Sequence, residues 1–372
     1  MKNIKYPDDY QQNRSARVSD RRHRLAELTP DGVTLSLRRP LPSCGARVHI
    51  LALGDVGASL LLGLKVLGGG TIGTIGIFDV DEKVCRRYEM EMNQIGWAFE
   101  EQEENPLPSV EIVTEENLFD CDLFLFCASK AVPAVGASAG AVDVRMVQFE
   151  ANRKIVEHYA RMAGERGYEG IFAVVSDPVD PLCKAALLAS GLLPGQIRGY
   201  GLGVMNRRAV YYARRDERFA AYLTEGRAFG PHGADLVVAN SIENYDDALS
   251  RQLTTLTVEA NLRVRDLGFK PYLAPALSSG AMSVIRMLQG KWHYSSIYLG
   301  SGPAEQPGNG PTEQSGSSPA WQQSGGGPAA KGAFLGVKNR ITGTGLVYED
   351  LELPEALYER IRTAYENLCR IL

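Results

Sequence analysis

The sequence predicts an α/β fold, a doubly wound parallel sheet joined to a second region of α+β character. Three observations predict it. The stretch Arg47–Gly57 is an apolar run that passes into a glycine-bearing turn and then a helix, Ala58–Leu67. A second apolar run, Thr74–Phe78, follows and ends on Asp79. Beyond it, strand-like runs at Val110–Thr114, Asp122–Ala128 and Gly170–Ser176 alternate with helical stretches at Val144–Ala163 and Asp180–Ser190. A run as apolar as Asp122–Ala128 suits a strand buried on both faces, and strand–helix alternation brings right-handed crossovers and a parallel order.

The first strand–turn–helix unit carries chemistry. Ala52, Gly54, Asp55, Val56 and Gly57 lie in the turn. Glycines there let the backbone approach a pyrophosphate at the N-terminus of the helix, and an acid at the end of the second strand accepts ribose hydroxyls. Asp79 holds that place, about 20 residues on. These are the parts of a Rossmann-type dinucleotide-binding unit, with Ala52 where the first glycine usually stands. A βα turn that binds no nucleotide is the alternative reading of the same pattern. Such sheets bind ligands at the carboxyl ends of their strands, which adds Ala128 to the candidate cofactor residues.

A chain of 372 residues can bury a large core and divides into about two domains. The net charge of −4 gives no electrostatic reason to expect nucleic acid. No apolar run reaches the ~18 residues of a membrane span, so no membrane partner is expected. The six cysteines form no C-x-x-C pair, which suits reduced thiols in a cytoplasmic protein better than disulfides or a metal site. Residues 1–45 read as a polar, partly disordered extension without a signal peptide's apolar segment. Its arginines, Arg14, Arg17, Arg21, Arg22 and Arg24, suggest a solvated arm that can lie across a partner subunit.

The texture changes near Ile197, so residues 46–196 are assigned to the dinucleotide-binding domain and 197–372 to a catalytic or substrate domain. In the latter, Ile197–Gly203 is strand-like, and residues 237–290 read as two long helices broken at Gly268–Tyr272. Tyr294–Leu299 and Ala333–Lys338 read as antiparallel strands. Between them, residues 300–332 are rich in Gly, Pro, Ser and Gln and read as an overgrown hairpin loop with too little apolar surface to order itself. The final helix carries Leu357, Ile361, Ala364, Leu368 and Ile371 on one stripe, a face compatible with subunit contact.

Of the five histidines, His232 stands in Gly230-Pro231-His232-Gly233, a sharp turn that exposes a ring able to exchange protons near neutral pH. His49 reads as structural, and His23, His158 and His293 as surface or helix residues. Arg208 can hold a carboxylate with its planar fork, and Arg145, after an Ala/Gly/Val loop, can polarise a carbonyl when that loop closes.

From about residue 46 to the C-terminus, these motifs and their order resemble the lactate/malate dehydrogenase superfamily. The family's glycine turn resembles Ala52–Gly57 and its ribose-binding acid Asp79. Its mobile-loop arginine and the asparagine that follows resemble Arg145 and Asn152. Its Asn-Pro-Val-Asp strand end resembles Asp177-Pro178-Val179-Asp180, and its Gly-x-His-Gly motif resembles Gly230–Gly233. Its carboxylate-binding arginine falls on Arg208, 24 residues before His232 as the family spacing implies. The resemblance implies NAD as cofactor, a 2-oxo or 2-hydroxy acid as substrate, and a homodimer or homotetramer. It implies His232 as proton donor, Arg208 and Asn152 as substrate-binding residues, and Arg145 as stabiliser of the developing alkoxide.

Two departures bear on function. The family's aspartate three residues before its carboxylate-binding arginine is Met205 here, while the family's strand-end asparagine is Asp177. One carboxylate is lost and another gained nearby, so Asp177 is expected to support His232, with Asp235 the nearer alternative in sequence. The loop 130–142 is long and holds no arginine before Arg145; Gly140 lies near where malate-type enzymes carry a second one. That favours a 2-oxo acid that is not a dicarboxylate. Two other classes remain open: a catalytically impaired nucleotide-binding or interaction module, and an NAD-dependent glycoside hydrolase, against which the lack of a Cys/His metal pair speaks.

Overall fold

The computed structural model describes residues 21–29, 35–99, 104–130, 141–233, 235–301, 331–343 and 345–372, with the side chains of all but 141–145 and 301. In chain order the first half contains β1 (Arg22–His23), β2 (Ala46–Leu51), α1 (Asp55–Leu67), β3 (Ile72–Phe78), α2 (Glu82–Asn93) and β4 (Ser109–Ile112). Then come β5 (Leu123–Phe126), α3 (Ala141–Glu165), β6 (Ile171–Val174), α4 (Val179–Ser190), β7 (Ile197–Gly199) and α5 (Leu202–Ala213). The rest contains α6 (Tyr222–Glu225), β8 (Arg227–Phe229), β9 (Val237–Ala239), α7 (Asp247–Asp266), a π-helical turn at Pro275–Ala281 and α8 (Met282–Leu288). It closes with β10 (His293–Ser301), β11 (Lys331–Thr342), β12 (Gly345–Tyr348), β13 (Leu353–Pro354) and α9 (Glu355–Cys369).

Nine strands form one sheet in the order β12-β11-β10-β7-β6-β5-β2-β3-β4. Strands β4 to β7 in that order are mutually parallel, and β10, β11 and β12 extend the same sheet antiparallel. The sheet thus crosses residue 197, where the sequence suggested a new domain. The chain runs from β2 outward to β3 on one side and later to β5 on the other, so the crevice of a doubly wound sheet opens at their carboxyl ends. Strand β5 shows why its sequence is apolar throughout: Leu123 and Leu125 enter one core, Phe124 and Phe126 the other, and all four are fully buried. Helices α1, α2 and α8 contribute to the first core and α3 and α4 to the second.

Several expectations change in the structure. Ile197–Gly203 is strand only to Gly199, because α5 takes over at Leu202. Val237–Ala239 is a strand paired with β8 rather than the start of a helix, in keeping with its β-branched pair Val237 and Val238. His293 is fully buried on β10, and burial pushes its pKa down to about 3. His23 is also buried, stacked on Tyr358 at 4.4 Å. The extension lies on its own chain where it is described: β1 pairs with β13, and Arg24 meets Asp350 at 2.6 Å. The apolar stripe of α9 is likewise spent within the chain, since Leu357, Ile361, Ala364 and Leu368 are buried. The strands flanking the insert pair through Ser301 and Lys331, and residues 302–330 lie outside the described residues. No described helix is long and apolar enough to cross a membrane.

One residue is expected to cost the fold stability. Arg198, on β7, is fully buried, and none of its guanidinium nitrogens has a hydrogen-bond partner among the described residues. Burial draws its pKa down to about 10. Replacing a buried, uncompensated ion by an apolar side chain of similar volume is neutral to stabilising. Arg198→Met is therefore expected to raise the unfolding free energy by about 1–4 kcal/mol, measured as a shift in urea midpoint at unchanged slope. A clear loss of stability would show that the guanidinium has a stabilising partner.

Candidate active site

The turn after β2 is built around a tight contact. A Cβ on Gly57 would collide with the carbonyl oxygen of Ala52, so only glycine fits there. Ala52 itself holds φ 74°, a left-handed conformation that costs a side-chain-bearing residue roughly 1–2 kcal/mol. That is the physical reason a glycine is usual at this position. Gly54 caps α1 and has open space where a side chain would begin. Asp55 opens the helix, with Lys270 Nζ 2.9 Å from its carboxylate, and Val56 packs partly against the core. Asp79, just past β3, accepts the Leu53 amide N–H at 2.7 Å through Oδ2 and the Asp81 amide at 3.1 Å through Oδ1. Each oxygen keeps a lone pair for a further donor.

The next strand ends meet in one knot. Asn152 on α3 is fully buried; its amide nitrogen donates to Asp177 O at 2.8 Å and Ser129 Oγ at 3.3 Å, and its oxygen accepts from Lys130 N at 2.7 Å. Ala128 O accepts from Ser176 Oγ at 2.6 Å. Asn152, expected to bind substrate, thus has both amide hydrogens committed to joining the ends of β5 and β6. Burial forces that use, because an unpaired buried amide is costly.

His232 sits on the loop between β8 and β9. Gly230 turns the chain at φ 88°, and its N–H donates to Gly336 O of β11 at 3.0 Å. The His232 amide donates to Asp180 Oδ2 at 3.3 Å, and its Nδ1 lies 3.0 Å from Asp177 Oδ1. A carboxylate only accepts, so Nδ1 carries the hydrogen and Nε2 is left to exchange protons. Asp235, the alternative partner, instead accepts from Asn367 Nδ2 at 3.2 Å.

Helix α5 brings in Arg208. Its start abuts the histidine: a Cβ on Gly201 would meet His232 Cβ. Ser279 of the π-helical turn donates to Gly201 O at 2.7 Å and accepts from Val204 N at 2.8 Å, which pins that start. Arg208 Nη1 reaches Met205 Sδ at 3.4 Å, a weak acceptor. Burial draws the Arg208 pKa down, while the charge of Asp177 draws it up. The carboxylate that contacts the imidazole therefore also acts through its charge on the guanidinium. The side chain of Arg145, on α3, and the loop residues 131–140 lie outside the described residues.

Asp180 is the residue that sequence reasoning underused, although it closes the same Asp177–Asp180 motif. Burial pushes its pKa up to about 6, against hydrogen bonding from Ser296 and the His232 amide. In the unfolded chain it ionises near 3.8. Its contribution to stability therefore falls as pH rises from about 4 to 6, by about 3 kcal/mol in all. His293 slopes the other way, since the unfolded ring binds a proton below about pH 6.5 and the buried one does not. Asp180→Asn isolates the first effect. The variant is expected to gain about 3 kcal/mol relative to wild type between about pH 4 and pH 7, read from urea unfolding across pH. A pH-independent difference would refute the shift.

These features define a class: a doubly wound α/β protein with a nucleotide-type turn and, at the carboxyl edge of the same sheet, a histidine–carboxylate pair whose charge acts on a part-buried arginine. The turn fits a dinucleotide, since Gly57 closes it and Gly54 leaves the helix N-terminus uncovered. Comparison with known proteins narrows the class. L-Lactate dehydrogenase of Corynebacterium glutamicum is 28% identical over 211 residues, 56% of this chain and 62% of that protein. The chain thus spans under two thirds of that relative's length. The Corynebacterium jeikeium L-lactate dehydrogenase is 22% identical over 288 residues, 70% of this chain and 84% of that one. The ligand-bound structure of the minor L-lactate dehydrogenase of Enterococcus mundtii aligns with a TM-score of 0.65 at 19% identity, over 89% of this chain and 98% of that one. Malate dehydrogenase from Archaeoglobus fulgidus, solved in complex with NADH, gives 0.61 at 16% identity, over 88% and 98%. No family model matches the chain. The chain is thus similar in sequence to L-lactate dehydrogenases and shares the fold of lactate and malate dehydrogenases.

Proposed function

We propose that this protein is an NAD-dependent 2-hydroxy acid dehydrogenase of lactate dehydrogenase type. The observation that carries the reading is the 3.0 Å contact of His232 with Asp177, whose charge also acts on Arg208. Residues 46–196 serve the cofactor and 197–372 most of the substrate site. The bound nicotinamide supplies the hydride. Arg208 grips the substrate carboxylate with its fork, which replaces a weak sulfur contact by charge-assisted hydrogen bonds. His232 Nε2 gives its proton to the keto oxygen, while Asp177 holds Nδ1–H and stabilises the imidazolium before transfer. Arg145 stabilises charge on that oxygen as the loop closes. Asp79 disfavours a 2′-phosphate, which selects NAD over NADP. With no arginine in the loop before Arg145, a second substrate carboxylate would be left unpaired, so the substrate is a monocarboxylic 2-oxo acid. The reading includes a cytoplasmic homodimer or homotetramer.

One observation favours a second reading. Met205 replaces the family's carboxylate, which suits a protein that binds nucleotide without turnover. A screen of pyruvate, branched and aromatic 2-oxo acids with NADH separates the two. NADH oxidation with any of them supports the dehydrogenase; binding of NADH without oxidation supports the module.

A further inference from the structure

The turn between β2 and α1 carries negative charge of its own. Asp55 is the first residue of the 13-residue α1, and Asp79 reaches the turn through Leu53. A carboxylate at a helix N-terminus is favourable in the free protein, but it opposes a second anion arriving at the same place. Lys270 brings a cation there. It lies between α7 and the π-helical turn, 215 residues away along the chain, and its Nζ is 2.9 Å from Asp55 Oδ2. The two side chains are 57% and 49% exposed, so the pair is screened by solvent and opens easily. The approach of the π-helical turn to α1 does not depend on this ion pair. A Cβ on Gly63 would strike Ala281 and Leu277, and one on Gly280 would strike Leu60, so the turn is packed directly on α1. Lys270 is thereby kept near the open space at Gly54, one residue from Asp55.

Resting on the dinucleotide reading above, we infer that Lys270 is a ligand of the cofactor's diphosphate, held in readiness by Asp55. When the diphosphate seats on the turn, Nζ leaves the carboxylate for a phosphate oxygen, and Asp55 remains as a restraint on affinity.

The test is a nicotinamide-fluorescence titration of NADH into the wild type, Lys270→Met and Asp55→Asn at low and high salt, with thermal melting to verify that both variants fold. Lys270→Met is expected to weaken NADH binding about tenfold and to flatten its salt dependence. Asp55→Asn is expected to tighten it about threefold, because the repulsive charge is gone and the lysine is free. An ion pair that only braces the fold would not move the two affinities in opposite directions. Unchanged affinity in Lys270→Met, or shifts of the same sign in both variants, overturns the inference and leaves the dinucleotide reading intact. Wild-type protein that fails to bind NADH overturns both.

Discussion

Asp177→Asn is expected to lower kcat/KM for the preferred 2-oxo acid roughly a hundred- to thousandfold with NADH binding unchanged. Asparagine keeps the shape of the side chain but not the charge 3.0 Å from His232 Nδ1. Two consequences follow from the physics. The imidazolium that forms on His232 loses the anion that stabilises it. The asparagine amide can also donate, which permits the wrong tautomer with Nδ1 as acceptor and Nε2–H fixed on the ring. In the reduction direction the ring must begin protonated, so losing that anion slows proton delivery to the keto oxygen. The double variant Asp177→Asn/Met205→Asp puts a carboxylate at the family's position and should recover at least about tenfold of the loss. Wild-type turnover in the single variant would dismiss Asp177 as the partner of His232.

Arg208→Gln is expected to raise KM a hundredfold or more, corresponding to roughly 2–5 kcal/mol of lost charge pairing in a largely desolvated setting. Burial already opposes the charge of this guanidinium, and its hydrogen bond to the sulfur of Met205 is a weak one. A substrate carboxylate therefore gains more here than at a solvated cation. Arg208→Lys should recover only part of the loss, because an ammonium keeps the charge without the bidentate fork. An uncharged amide analogue of the substrate provides the discriminating control. It should react poorly but equally with wild type and Arg208→Gln, whereas equal losses for acid and amide would mean that Arg208 supports the fold rather than the carboxylate.

Legibility differed from residue to residue for identifiable reasons. The βαβ unit was readable because Gly54, Gly57 and Asp79 are demanded by local backbone geometry and by the strand–helix–strand order around them. The exchange of carboxylates was readable as a coincidence of two departures, Met205 and Asp177, but their sequence separation gave no distance. Asp180 was visible as part of a motif, yet its rise to about 6 comes from burial that no spacing encodes. His293 was misjudged for a related cause. His293 looks like a surface residue in a polar stretch, and only pairing of β10 with β7 and β11 encloses it. Asn152 matched a substrate-contact motif, and only the meeting of the β5 and β6 ends turns its amide inward.

Order along the chain alone determined the doubly wound sheet, its nucleotide-type turn and the candidates His232, Asp177 and Arg208, because hydrophobic period and tight-turn chemistry are local properties of a polypeptide. Tertiary structure decided the rest. It set Asp177 rather than Asp235 against the imidazole, consumed the α9 stripe inside the chain, and stretched Lys270 across to Asp55. Such choices depend on which distant segments pack together, and packing energies are summed over the whole core rather than written into any one stretch of residues.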